Sequence, residues 1–106
     1  MSRVVKNNIN VLRALTLMKP EHRRAVIKVA DKALVQSVCE CAYNVLNGNV
    51  SVGEKLKKKL NKYKSVLRKL VKKGECFKKK KKYLIQKGGG ILLPILLSAA
   101  LQAILR

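Results

Sequence analysis

The chain has 106 residues, with 25 Lys or Arg set against 5 Asp or Glu, a formal net charge of +20. That length admits one small domain with a modest core, and a charge this large opposes folding unless salt or a polyanion neutralises it. Tryptophan is absent and Tyr43, Tyr63, Phe77 and Tyr83 are the whole aromatic set, which leaves little for stacking the bases of a single strand.

In chain order, Val4, Val5, Ile9, Leu12, Leu15 and Met18 recur at three- and four-residue intervals and predict one amphipathic helix. Pro20 suits the first turn of a second helix, with Glu21 at its positive end and Val26, Ile27 and Val29 as its apolar set. Asp31 reads as the cap of a third, which carries Leu34, Val38, Cys41, Ala42 and Val45 and ends at Gly48. Ser51-Val52-Gly53-Glu54 matches a capping box. It opens a helix from about Val52 to Lys73 with Leu56, Leu60, Tyr63, Leu67, Leu70 and Val71 on its apolar face, stopped by Gly74. A shorter helix from Glu75 to Gln86 puts Phe77 and Leu84 on one side and the lysine run on the other. Strand alternation is absent. The fold class is all-α: a small bundle of three to four helices at residues 1–50, a lysine-rich helical arm at 51–87, a glycine hinge at 88–90, and a separate apolar tail helix at 91–106.

Charge is concentrated in the arm. Of the 25 basic residues, 16 lie between Lys55 and Lys87, where the sole acid is Glu75. A lysine-rich face is ordinarily a solvated face. Here no acids at helical spacing balance Lys55, Lys57, Lys58, Lys59, Lys62, Lys64, Arg68, Lys69, Lys72 and Lys73, nor the run Lys78, Lys79, Lys80, Lys81 and Lys82, nor Lys87. Repulsion on that scale points to a polyanion. Lysine binds phosphate as a point charge, whereas bidentate reading of bases favours Arg, Asn and Gln. The reading is therefore binding of a nucleic-acid duplex through its phosphates, indifferent to sequence, with the lysines leaving DNA and RNA both open.

The tail, Ile91 to Leu105, has only Ser98 and Gln102 as polar side chains, and a spanning helix needs about 20 apolar residues. Pro94 suits a helix starting at Leu92 or Leu93, and Ser98 and Gln102 fall on one side of it. Three uses stay open for Ile91, Leu92, Leu93, Pro94, Ile95, Leu96, Leu97, Leu101, Ile104 and Leu105: the last core helix, a contact with a bilayer interface, or burial in another protein such as a capsid subunit.

Cys39 and Cys41 lie two apart and point to different sides of a helix, while Cys76 is left over, so the cysteines read as two small buried hydrophobes and one exposed thiol. With His22 the only histidine, they make no zinc site. Five scattered acids and no nucleophile–base spacing read as non-enzymatic, with no cofactor called for.

Some stretches carry a resemblance. "KGGGILLPILLSAALQAIL", within Lys78 to Leu105, is similar to the precursor of the adenovirus core protein mu: a basic run, a glycine–aliphatic–proline junction, then an Ala/Leu/Ile tail. Over roughly residues 23–97, "ECAYNVLNGNV", "KLKKKLNKYKSVLRKLVKKG" and "KKKKYLIQKGGG" resemble short open reading frames of adenovirus-like DNA viruses and Polinton transposons. The resemblance implies a minor component of a virion core that condenses DNA, present in the host nucleus during assembly. It also implies a tail removed by the viral maturation protease, with Gln86-Lys87-Gly88-Gly89-Gly90 similar to its motif and the Gly89–Gly90 bond as the cut. Gln86 departs from the aliphatic residue of that motif, and this arm is rich in lysine where the mu precursor is rich in arginine. Two rivals stand beside this reading. One is a membrane-active, lytic minor capsid protein whose lysines attract anionic lipid. The other is a protein lining a capsid. Short helices with apolar stripes also suit pairing between copies of the chain.

Overall fold

In the computed structural model, which describes residues 3–47, 53–74, 76–88 and 92–104, every regular element is helical. The first expected helix is two: α1 (Arg3–Asn7) and α2 (Ile9–Leu17) meet at Asn8. There the Asn8 amide donates to the Val5 carbonyl in a tight turn, and the Asn8 carbonyl accepts from the Leu12 amide to restart the ladder. The apolar stripe survives the break, since Val5, Leu12 and Leu15 are all fully buried.

Pro20 opens α3 (Pro20–Lys28), where its missing N–H costs nothing. Of the three apolar residues expected to face inward, Ile27 is buried and Val26 half-buried, but Val29 stands 84% exposed past the last turn. Asp31 caps α4 (Lys32–Leu46), accepting the Leu34 amide at 2.9 Å. Leu34, Val38, Cys41 and Ala42 form the expected buried stripe, and α4 ends with Asn47 at its C-cap. Gly48, Ser51, Val52 and Glu75 fall outside the described residues.

The long basic helix is also divided, into α5 (Glu54–Asn61) and α6 (Lys64–Val71). Gly53 holds the N-cap position of α5 without a side-chain cap, and the Ser51 of the expected capping box lies outside the described residues. The Tyr63 amide donates to the Leu60 carbonyl and the Leu67 amide to the Tyr63 carbonyl, a one-turn tightening at Lys62–Tyr63. The break has a packing reason. Leu60 serves a helix that lies on α8, described below, whereas Leu67 and Leu70 serve one that lies on α4. Beyond Val71 the chain turns at Gly74, whose φ of +86° suits a residue without Cβ. It then enters α7 (Phe77–Tyr83) and a wide π turn over Leu84–Gly88.

The tail departs most from expectation. It forms α8 (Leu92–Ile104), with Pro94 in its first turn, and α8 is not separate. It packs against α2, α4, α5 and the π turn, burying Leu92, Leu93, Leu96, Leu97 and Ala100 completely and Leu101 nearly so. Ser98 and Gln102 mark its exposed edge. A helix apolar nearly all round belongs inside a bundle. The five leucines, at about 1.5–3 kcal/mol each, contribute on the order of 10 kcal/mol, comparable to the whole net stability of an ordinary domain. The arm is likewise integrated through α6 and α7, which pack on α4 and on each other. The radius of gyration is 12.3 Å, against about 13 Å for a compact domain of this length. Nothing described projects as an arm or a tail.

Candidate nucleic-acid interface

Each basic helix of the arm buries a narrow stripe and leaves the rest to solvent. On α5, Leu60 is buried and Leu56 half-buried, four residues apart on one face. Lys55, Lys57, Lys58 and Lys59, with Lys62 just beyond, are therefore exposed. On α6, Leu67 and Leu70 face inward, which leaves Lys64, Arg68 and Lys69 exposed, followed by Lys72 and Lys73.

The five-lysine run does not lie on one side. Phe77, Lys80, Lys81 and Leu84 share the inner face of α7 at i, i+3, i+4 and i+7, while Lys78, Lys79 and Lys82 are exposed. A lysine stem is apolar and its ammonium is not. The Lys81 ammonium resolves this by donating to the Ala30 carbonyl, at the joint of α3 and α4, at 2.9 Å. It also lies 5.5 Å from the centre of the Phe77 ring. Lys69 stands 5.2 Å from the centre of the Tyr83 ring and ties the outer surface of α6 to α7. Of the residues expected to contact phosphate, Lys81 is thus committed to holding the bundle together and Lys80 is half-buried. The side chain of Lys87 lies outside the described residues, as do Gly89, Gly90, Ile91, Leu105 and the side chain of Ile104.

Sequence reasoning missed one buried cation. Arg23 is 3% exposed; its Nε donates to the Leu15 carbonyl at 2.7 Å and a terminal guanidinium nitrogen to the Met18 carbonyl at 2.6 Å. The Leu15 carbonyl belongs to the last turn of α2 and Met18 is its C-cap, where carbonyls have no partner within the helix. The planar fork of Arg serves two at once. Burial, with Arg24 nearby, lowers the guanidinium pKa from its ordinary value. The signal was present: Arg23 stands four residues before Ile27, on the buried face of α3.

Cys39 and Cys41 are buried and Cys76 is exposed. Burial pushes the Cys39 thiol up to about 11, against the opposing pull of Lys80, and that of Cys41 up to about 12 with help from Glu40 and Cys39. Among the described residues, no three His, Cys, Asp or Glu side chains are grouped so as to hold a metal ion. Nor is any helix there long and apolar enough to cross a membrane. α8, with 13 residues, measures about 20 Å at 1.5 Å per residue, against roughly 30 Å of hydrocarbon.

The chain matches no protein-family model, no curated protein and no solved structure.

Proposed function

We propose that the chain is a non-enzymatic protein that binds and condenses double-stranded DNA without reading its sequence. The observation that carries this reading is the set of exposed cations on α5, α6 and α7 between Lys55 and Lys82, a span of sequence in which Glu75 is the one acid. Charges so close together repel, and a phosphate backbone lying along them relieves the repulsion as counterions leave. Lysine predominates over Arg68 in this surface, so contact fixes position without base readout. The resemblance to the mu precursor and to Polinton-like reading frames supplies the setting, a virion core in which a genome is neutralised for packing.

Burial of α8 changes the part given to the tail. Its leucines act as the core of the basic bundle, and contact with a bilayer or a capsid subunit requires α8 to leave that core at a cost on the order of 10 kcal/mol. Competition between duplexes of unrelated sequence tests the proposal on the full chain. Affinities within about tenfold of one another are expected, far from the roughly 10³-fold or more that separates specific from non-specific sites. Light scattering should show compaction of long duplex at the same protein ratios. Strong preference for one sequence, or tight binding to anionic vesicles with none to duplex, overturns it.

A further inference from the structure

Between α4 and α7 lies a cleft of about 170 Å³, lined by Lys32, Val35, Gln36 and Cys39 from α4 and by Phe77 and Lys80 from α7. The lining positions are i, i+3, i+4 and i+7 on the first helix and i, i+3 on the second, so each contributes one continuous stripe. Each also brings one ammonium: Lys32, exposed, and Lys80, half-buried. Among the described residues, no carboxylate lines the cleft. The Cys39 thiol, held up near 11, is neutral at physiological pH and supplies no counter-charge. Lys81 does not compete for an occupant, because its ammonium is engaged by the Ala30 carbonyl.

Size narrows the ligand. At about 30 Å³ per water the cleft has room for on the order of five waters, below the roughly 300 Å³ at which pockets for drug-sized ligands begin. One phosphoryl group enters and a nucleoside does not. Charge narrows it further. Two ammonium groups beside an apolar floor of Val35 and Phe77 are satisfied together by a dianion. An internal phosphodiester carries one charge, whereas a phosphomonoester carries nearly two at neutral pH, its second pKa lying near 6.

We propose that this cleft is a discrete site for a phosphomonoester dianion, its oxygens held by Lys32, Lys80 and the Gln36 amide, with the organic part of the ligand outside. Two sources share that chemistry, the terminal phosphate of a nucleic-acid strand and a free small phosphate. The inference does not rest on duplex binding by the lysine surface, because it concerns the cleft between α4 and α7.

The test is a two-dimensional amide NMR titration of the full chain with inorganic phosphate, against sodium chloride at matched ionic strength. Saturable shifts confined to the neighbourhood of Gln36, Cys39 and Lys80 are expected, with dimethyl phosphate binding more weakly. Lys32→Met and Lys80→Met should each weaken phosphate binding about tenfold or more, the scale of one charge-assisted hydrogen bond. Lys82→Met removes the same charge from the outer side of α7 and should leave the affinity within about twofold. Lys32 is exposed, so its variant keeps the test valid should Lys80→Met fold poorly. A 5′-phosphorylated short duplex that displaces inorganic phosphate, where its 5′-hydroxyl counterpart does not, assigns the site to strand ends. Failure of both duplexes to displace it assigns the site to free phosphate. Shifts spread evenly over the lysine helices, or equal losses in Lys82→Met and Lys80→Met, overturn the proposal and leave the duplex reading untouched.

Discussion

α7 and α8 are neighbours in sequence and opposites in composition, and they behave differently from what composition alone suggests. α8 is the oilier, and because it is apolar nearly all round it occupies the centre of the bundle, with Ser98 and Gln102 exposed among its described side chains. α7 is almost all lysine, yet it too has an inner face, where Phe77 and Leu84 bracket Lys80 and Lys81. Mean hydropathy locates a helix. Periodicity decides which side chains it spends on packing, lysines included.

The comparison is broken most severely from the α8 side. Leu97→Ala removes a fully buried side chain and should cost about 2–5 kcal/mol, read as a lowered denaturant midpoint at unchanged slope. Leu17→Ala, at a leucine 84% exposed, should fall within about 0.5 kcal/mol of the parent. Equal effects at the two positions contradict a central α8. Next in size is Arg23→Met, which keeps the apolar stem and withdraws the donors from the Leu15 and Met18 carbonyls. A loss of about 1–3 kcal/mol is expected in the same denaturation experiment.

The inner and outer sides of α7 separate more gently. Lys81→Met should cost about 1 kcal/mol through the bond to the Ala30 carbonyl, while Lys82→Met should be neutral or slightly stabilising because it relieves repulsion on an exposed face. If the two substitutions are indistinguishable, the inward placement of Lys81 is wrong.

A smaller effect tests the core through pH. The thiols of Cys39 and Cys41 ionise near 9.0 when exposed and at about 11 and 12 when folded. Their folded-state values are raised, so between pH 9 and pH 12 the unfolded chain has lost protons that the folded chain keeps. Their contribution is fully present below about pH 9 and is lost as pH rises through that window. Above pH 9 the denaturation midpoint of the parent should fall relative to that of a Cys39→Ala, Cys41→Ala chain, the comparison cancelling the shared effect of lost lysine charge.

Much of this architecture was legible. Spacing of apolar residues located the helical stretches of the first 73 residues, and Asp31 and Pro20 marked two starts, because caps and φ restrictions act within a few residues. α6 ends at Val71, short of the stop expected at Gly74. The breaks at Asn8 and Lys62–Tyr63 were not legible, since both halves of each helix keep the same stripe and only the partner changes. The place of α8 was left open for a similar reason: a uniformly apolar helix carries no face to say what covers it, and the answer came from the unpaired stripes of α2, α4 and α5. Lys81 and Arg23 were hidden by their charge, although both stand at apolar positions of their helices. Site reading shared that limit. A run of lysines announces a polyanion but not which of its members are free to meet one.

Whether the exposed cations of α5, α6 and α7 lie against phosphates, as proposed, is read from the salt dependence of duplex binding by the full chain. With roughly eight phosphates neutralised, the logarithm of the binding constant should fall with the logarithm of salt concentration at a slope of about −7. A slope near zero, or no hold on duplex at ordinary ionic strength, contradicts the account.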